Sequence, residues 1–553
     1  MSPPFLRIPP FPGHRASPLA QDGTTPVTDA ATLVDRLRRA RVAGEFWAAA
    51  PSLPEGRTVL ASASGTAAAG LVAQHLRDHF HDSDGMQQVV SRGRISGLEA
   101  LPQVPAASDP WSLCAQADRV VADADDELLL IAALCGCEIE IVGSGRFAAL
   151  SDPQGLEGAV AAELSRWTYR DPFDGSRITP AQAIDLLDGW RRLIEANRAV
   201  GAIYGIARWK RITADNLLWD GTGSVRHADG APLTGHPARA LAWIARSDAH
   251  VLSELEARGI AVGEIEDGMI RSTGLGANCV PPLSIVVDAN GPHFDPAQAS
   301  ELEIILETAT IPEPVLERAR ALRERLVAGG ISKYGQDAGH AASANDAHRA
   351  DDGHEARKLV LVTGQVEDDR SVLRGGGGLD NLQLLRRARD HEPQAHIVFK
   401  PHPDVEAGHR KGHVPDGRAL EFADEIDRTS SIASLLDRVD AVHVLTSLAG
   451  FEALMRGREV VTHGVPFYAG WGLTRDLGEV PARRTRKRTL EELVAATLIL
   501  YPRYLDPVTR LPCGPETLVD RIANGQANVR SGLIRLREVQ GRMNRVLGWM
   551  TRR

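Results

Sequence analysis

The stretch LVLVTGQVEDD, residues 359–369, decides the fold. Leu359–Thr363 is continuously apolar and rich in β-branched residues, the pattern of a short strand covered on both faces. A glycine breaks it, polar residues follow, and a helical period resumes over Asn381–Asp390. The same order recurs downstream. His396–Lys400 reads as a strand that runs into a Pro-His-Pro loop, and Ala441–Leu445 as a strand that runs through Thr446-Ser447 into a helix at Ala449–Arg456. Val460–Thr462 reads as a further strand and Glu491–Leu500 as a further helix. Upstream, Ala261–Ile265 and Leu283–Asp288 read as strands, and Ala238–Arg258 and Glu313–Ala328 as helices. Strands alternating with helices imply an α/β protein built on parallel sheets.

Working outward, residues 335–357 (GQDAGHAASANDAHRADDGHEAR) are polar, rich in Ala and Gly and without apolar period, and read as a flexible linker. Their histidines, His340, His348 and His354, are irregularly spaced with no cysteine among them, which favours solvated linker over metal tract. The linker separates residues 200–334 from 358–528, two Rossmann-like subdomains with a cleft between them.

The first 199 residues echo the second module. Tyr169-Arg170-Asp171-Pro172 returns as Tyr504-Leu505-Asp506-Pro507, and Pro180 and Asp185 return at the same offset as Pro515 and Asp520. AALCGCEIEIVG (132–143) echoes ALMRGREVVTHG (453–464). Yet Ile131 stands in place of Glu452, and Asp125-Asp126 in place of Thr446-Ser447. Residues 1–199 therefore read as a degenerate remnant of a first copy, expected to pack against the second and to do no chemistry.

The chain has 553 residues, with 63 Lys and Arg against 72 Asp and Glu, so its net charge of −9 argues against a nucleic-acid-coating role. Five scattered cysteines exclude a disulfide scaffold; Cys135 and Cys137 lack a zinc spacing and read as small core residues. The Pro-rich Met1–Pro18 lacks the apolar core of a signal peptide, and no stretch has the length of a membrane span, so a cytoplasmic location is expected.

Four polar clusters stand at strand ends, where open α/β sheets bind ligands. Glu266-Asp267 with Arg271 and a glycine-rich turn (274–276) suits acid–base work or a polar ligand, or else an N-cap and a buried ion pair. Gln365 to Asp369 carries three adjacent acids, Glu367, Asp368 and Asp369, which cannot all be buried and ionised cheaply. Lys400 and His402, on a loop stiffened by Pro401 and Pro403, suit an anion such as phosphate, with His409, Arg410 and Lys411 adding positive charge. Thr446 and Ser447 at a helix start make an anion site, with Glu452 placed to accept from ribose hydroxyls; Phe467, Tyr468 and Trp471 suggest an aromatic wall. The chain lacks a GxxxxGK[ST] loop and a GxGxxG turn, so a two-domain nucleotide-sugar glycosyltransferase fits better than an ATPase or a dinucleotide oxidoreductase.

These motifs together, EDGMIRSTGLGA (266–277), PPLSIVVD (281–288), SKY (332–334), GQVEDDRSV (364–372), KPHPDVEAGHRKG (400–412), TSLAGFEALMRG (446–457) and GVPFYAGWGL (464–473), closely resemble the bacterial capsular polysaccharide β-Kdo transferases of the KpsC/LipA type. The resemblance covers 200–528 and is best with the second of that family's two tandem modules. It implies a GT-B-like fold, CMP-β-Kdo as donor, retention of configuration, and a Kdo-bearing (lyso)phosphatidylglycerol acceptor at the inner face of the cytoplasmic membrane. It implies Asp369 as catalytic residue of a Gln365-x-x-x-Asp369 motif, and His402-Pro403 and Thr446-Ser447 as CMP contacts. Lys400 and Glu452 join that donor set. Glu266 or Asp267 is the candidate base, and Arg271 the candidate partner of the Kdo carboxylate. No metal and no cofactor are expected; other capsule assembly proteins are further expected partners, and nucleic acid is not. With one intact module, the chain would add one linkage type or rely on a partner for the other. The rival readings are a non-catalytic capsule scaffold that binds the Kdo-lipid, and a transferase of another CMP-linked ulosonic acid.

Residues 529–553 close the chain. Leu536, Val539, Met543, Val546, Leu547 and Met550 fall on one helical stripe, among seven arginines and Glu538. A basic amphipathic tail suits an anionic membrane surface, and Arg483–Arg488 could extend that basic face.

Overall fold

The computed structural model describes residues 3–80, 87–152, 154–228, 238–272, 280–332, 335–336, 357–408 and 410–527. Most of the expected linker and all of the expected tail past Asn528 lie outside the described residues, as do residues 274–276, Lys333-Tyr334 and His409. The chain divides into two compact units. The first holds residues 3–199 with 215–225 and 509–511, and the second holds the rest of the described chain.

The first unit carries a five-stranded parallel sheet of β1 (Arg57–Ser62), β2 (Gln87–Arg92), β3 (Gln103–Val104), β4 (Arg119–Asp123) and β5 (Glu138–Val142), in the order β3-β2-β1-β4-β5. Helices α1 (Thr66–His79), α2 (Glu127–Cys135) and α3 (Pro180–Asn197) belong to it. Cys137 is half-buried against the unit's core, but Cys135 lies exposed at the last turn of α2, so the expectation that both are core residues is corrected for Cys135.

The second unit holds two large sheets. The first is formed by β6 (Val200–Tyr204), β7 (His227–Ala228), β8 (Arg239–Ala242), β9 (Ala261–Asp267) and β10 (Ser284–Asp288), with β17 (Arg503–Leu505) and β18 (Pro512–Cys513) added from the end of the chain. Its order is β18-β17-β10-β9-β8-β6-β7. The boundary at 358–528 is thereby corrected: after the second sheet the chain crosses back, and Arg503 pairs with Ile285 of β10. The reading of Ala238–Arg258 as one helix is also corrected. Arg239–Ala242 is a buried strand between β6 and β9, Ile244–Arg246 is a 3-10 turn, and only α4 (Ala249–Ala257), capped by Asp248, is α-helical. Alanine's helix propensity misleads here, because small side chains also suit a strand covered on both faces.

Helices α5 (Glu301–Thr308) and α6 (Glu313–Ala328) lead to the second sheet. Its six parallel strands are β11 (Leu359–Thr363), β12 (His396–Lys400), β13 (Glu425–Ile426), β14 (Ala441–Val444), β15 (Glu459–Thr462) and β16 (Arg475–Asp476). They are interleaved with α7 (Arg370–Gly375), α8 (Asn381–His391), α9 (Pro403–Glu406), α10 (Ile432–Arg438) and α11 (Leu448–Met455). Val360, Leu361 and Val362 are fully buried at the sheet's centre, which is why this stretch shows no polar alternation. The strand order β13-β12-β11-β14-β15-β16 reads 3-2-1-4-5-6 in chain order, the Rossmann order. Helix α12 (Leu490–Val494) continues as a π-helical turn to Leu500, and α13 (Pro515–Ala523) follows β18. Two Rossmann-like halves in one unit make the fold α/β and GT-B-like.

Within the basic run Arg483–Arg488, Arg484 and Arg488 are buried in the unit. Arg484 donates to Glu303 and to the carbonyls of Pro466 and Ala469, while Arg486 and Arg488 donate to the carbonyls of Glu307, Leu306 and Ala309 at the end of α5. Arg486 and Arg488 thereby cap the C-terminal end of α5, while Arg483, Arg486 and Lys487 stay exposed on the surface.

Beneath the second sheet His443 of β14 and His463 share a hydrogen bond, Nδ1 to Nε2, at 2.9 Å. Burial pushes both imidazoles down to about 3, helped at His443 by His463 and at His463 by Arg387. A histidine whose folded pKa is depressed stabilises the fold above its unfolded value and loses that contribution as pH falls toward the folded one. Unfolding should therefore take up protons between about pH 6.5 and 3, and the melting temperature should drop across that window. His463→Gln should flatten the drop; an unchanged slope would show that other groups govern acid unfolding.

Candidate active site

Strands β12, β11 and β14 are neighbours, so three of the four polar clusters meet along one carboxyl edge. The switch point of a 3-2-1-4 order lies between β11 and β14, where the following loops diverge and leave a crevice. Gln365 bolts this crevice. Its Nε2 donates to Thr446 Oγ1 at 3.0 Å, and its Oε1 accepts from the Thr446 backbone N–H at 2.9 Å. Asn381 holds the bolt, accepting from Gln365 N and donating to Gln365 O and Gly412 O. Gln365 is buried, with both ends of its amide bonded to Thr446.

The three acids after Gln365 separate. Glu367 accepts from Asn381 N at 3.0 Å at the start of α8, and Asp368 pairs with Arg410 at 3.1 Å. Asp369 is the exposed N-cap of α7, and its Oδ1 accepts from Ser371 N at 3.0 Å and Ser371 Oγ at 2.7 Å. Both bonds fall on one oxygen, Oδ1. At the end of β12, half-buried His402 caps α9, its Nδ1 accepting from Asp404 N at 3.2 Å. A neutral imidazole so engaged carries its proton on Nε2 and is a donor there. Pro403 is the first residue of α9, and Lys400 Nζ donates to Ser430 O.

Across the crevice, Ser447 caps α11 by accepting from Ala449 N. Glu452 lies one turn in and is 6% exposed, on the buried side of α11. The aromatic wall is corrected: Phe467, Tyr468 and Trp471 are core residues, with Trp471 Nε1 donating to Phe467 O at 2.8 Å. Tyr468 instead supports the crevice from behind, its hydroxyl donating to Ser447 O. Gly450 is required for this approach, since a Cβ there would lie 2.2 Å from the Tyr468 hydroxyl.

In the other half, alternation along β9 sorts the acids by face. Asp267 turns to Lys210 Nζ at 3.1 Å and Arg271 Nε at 2.7 Å. Lys210 sits 3.2 Å from the Trp243 ring, and burial pushes it down to about 8 against the pull of Asp267. Arg271 is 1% exposed and also donates to Ser272 Oγ and Val280 O. Glu264 and Glu266 share the opposite face and both meet Arg370, Glu266 at 3.0 Å. Burial, then the charge of Glu264, push Glu266 up to about 8 while Arg370 pulls the other way. Of the two candidate bases, the geometry favours Glu266, because two cations hold Asp267. Lys210, Glu264, Arg370 and Asn381 escaped the sequence reading. The period-two spacing of Glu264 and Glu266 was the available signal.

The first unit offers a contrasting crevice at the same topological place. Asp123 accepts from Ser64 N and Oγ, both at 2.7 Å, and Asp126 accepts from Ser62 Oγ at 2.6 Å while capping α2. Asp125 accepts from Arg146 N at 2.9 Å, and Ile131 is fully buried where the second copy has Glu452. Three carboxylates there oppose an anionic ligand.

A family model described as capsule polysaccharide biosynthesis protein matches residues 241–504. The chain is 36% identical over 368 residues to the capsule polysaccharide modification protein LipA of Neisseria meningitidis serogroup A, covering 66% of this chain and 51% of that one. It is 42% identical over 248 residues to the lipopolysaccharide-processing protein LpsZ of Rhizobium meliloti, covering 44% and 54%. The chain thus spans about half the length of the curated relatives it matches. Among solved structures, the KpsC beta Kdo 2,7 transferase of Thermosulfurimonas dismutans is 33% identical, covering 59% of this chain and 99% of that one, with a TM-score of 0.45. That identity runs through nearly all of the KpsC chain, and the matched region 241–504 takes in both Glu266 and the Gln365–Thr446 crevice; the chain belongs to the KpsC/LipA family of capsule polysaccharide proteins.

Proposed function

We propose that the second unit is a retaining β-Kdo glycosyltransferase of capsular polysaccharide assembly. It moves Kdo from CMP-β-Kdo to a Kdo-bearing phosphatidylglycerol-type lipid. The observation that carries this reading is the crevice between β11 and β14, where Asp369, His402 and Ser447 stand on three adjacent strand ends inside the family-matched region. The 33% sequence identity to the KpsC beta Kdo 2,7 transferase supports the sugar.

Retention follows from two inversions. Asp369 Oδ2 attacks C2 of Kdo as the C2–O bond to phosphate breaks, and that bond's electron pair leaves on CMP. His402 Nε2–H, Lys400 and the N–H groups beyond Ser447 receive the departing negative charge. Thr446, fixed by Gln365, borders the same crevice, and Glu452 takes the ribose. An acceptor hydroxyl then attacks C2, Asp369 departs as carboxylate, and the hydroxyl proton passes to Glu266. The phosphate is met by cationic and N–H donors, while Glu367, Asp368 and Asp369 each face a different protein partner; the proposed mechanism therefore uses no metal. No helix among the described residues is long and apolar enough to cross a membrane, and we assign contact with an anionic lipid surface to residues 529–553.

Incubating the protein with CMP-Kdo and a synthetic Kdo-terminated acceptor tests the reading. A new β-linked Kdo by NMR, formed equally well in EDTA, is expected; the absence of any glycosylated product would overturn it. A base that titrates near 8 also sets the pH dependence. Transfer should rise with pH as Glu266 loses its proton and level off above about 8. Glu266→Gln should lose this limb and slow transfer about 10²-fold. A limb that survives in Glu266→Gln would move the base elsewhere.

A further inference from the structure

We propose that Arg370 is a catch between the two halves of the second unit and a positioning residue for Asp369. The proposal rests on the reading of Asp369 as nucleophile. Arg370 is the first residue of α7, directly after Asp369. Its guanidinium reaches the other half, with Nη2 on Glu264 Oε2 at 3.2 Å and Nη1 on Glu266 Oε1 at 3.0 Å as well as on Glu264 Oε1. Its charged carbon lies 5.1 Å from the centre of the Phe294 ring. One turn on, Arg374 faces Asp295 at 3.6 Å. At the end of α7, a Cβ on Gly375 would stand 3.3 Å from Phe294 O and 3.0 Å from Thr446 Cγ2.

A helix of six residues does not hold itself together. Its order comes from what grips it, and residues 264, 266, 294 and 295 of the first sheet's half grip α7 along its length. Asp369 caps that helix, so the direction of its carboxylate follows the helix. Glu264 and Glu266 need a cation between them, since both are largely buried on one face of β9. The catch therefore closes when the halves approach, and the nucleophile is aimed at the same moment.

The charged groups facing Glu266 are Glu264 and Asp267 on its own strand, Arg370 on α7, and Lys210 from the loop after β6. Arg370 lowers the proton affinity of Glu266 and Glu264 raises it, so removing them should move the pH limb in opposite directions.

The test uses the full chain as wild type, Arg370→Gln, Arg370→Lys and Glu264→Gln. Three quantities are read: adduct formation on Asp369 with CMP-Kdo alone, calorimetric affinity for CMP, and the pH profile of transfer. Arg370→Gln should slow adduct formation about 10²-fold, the cost of a misplaced reacting group, while CMP affinity stays within about threefold. Its limb should move to higher pH, that of Glu264→Gln to lower pH, and Arg370→Lys should restore part of the adduct rate. An adduct rate in Arg370→Gln close to wild type would overturn the proposal. So would an unmoved limb in Glu264→Gln, which decides the matter if Arg370→Gln fails to fold. A wild type that transfers Kdo without an adduct on Asp369 would instead overturn the nucleophile assignment.

Discussion

Asp369→Ala is expected to abolish Kdo transfer, with a loss of at least about 10⁴-fold, the scale on which removal of a covalent nucleophile is felt. Two roles meet at this residue and must be separated. As the N-cap of α7 its Oδ1 holds Ser371 N and Oγ, so the alanine variant should also lose about 1 kcal/mol of stability. Asparagine caps a helix nearly as well as aspartate but has no carboxylate with which to attack. Asp369→Asn should therefore melt close to wild type and remain as inactive as the alanine variant. Mass spectrometry of wild type with donor alone should show Kdo on a peptide containing Asp369. An active Asp369→Asn, or an adduct on another side chain, would remove Asp369 from this role.

The strands of the second sheet were legible because their burial is written in composition. β11 and β12 begin and end where the apolar runs do, and β14 and β15 differ from the expected bounds by one residue. Central parallel strands are covered on both faces, so apart from His443 nothing polar interrupts their interior. The first sheet of the same unit was harder to read. β6 and β8 are short and rich in alanine and glycine, and β17 joins by a crossing more than 200 residues downstream of β10, a pairing no local pattern announces. Fold class survived these errors because it depends on the alternation of elements, whereas the domain boundary depends on one long-range pair.

Among the site residues, chemistry was easier to read than orientation. Asp369, His402 and Ser447 stand at strand ends that the sequence marks plainly. Whether a side chain faces the crevice or the core is settled by packing. Gln365 and Arg271 turned out to be bonded within the protein, and Phe467, Tyr468 and Trp471 lie in the core. Arg370 lies within a quoted motif yet drew no attention, because its partners Glu264 and Glu266 are about a hundred residues away in sequence.

His402→Ala is expected to slow CMP departure by roughly 10²–10³, the usual loss for one preorganised group that stabilises developing charge. The argument rests on which ring nitrogen is engaged. Nδ1 accepts from Asp404 N, so the proton of the neutral ring is on Nε2, where a leaving phosphate oxygen gains negative charge as the C2–O bond breaks. The same contact makes His402 the cap of α9, and truncation to alanine would disturb the loop as well as remove the donor. His402→Asn separates the two effects: its side-chain oxygen can still accept from Asp404 N, but no ring N–H remains to reach the phosphate. The asparagine variant should therefore recover the melting temperature lost by alanine and keep the kinetic defect, read as the rate of adduct formation with CMP-Kdo alone. A His402→Asn protein that forms the adduct as fast as wild type would leave the leaving-group charge to Lys400 and the start of α11, and would end the assignment of His402 to the phosphate.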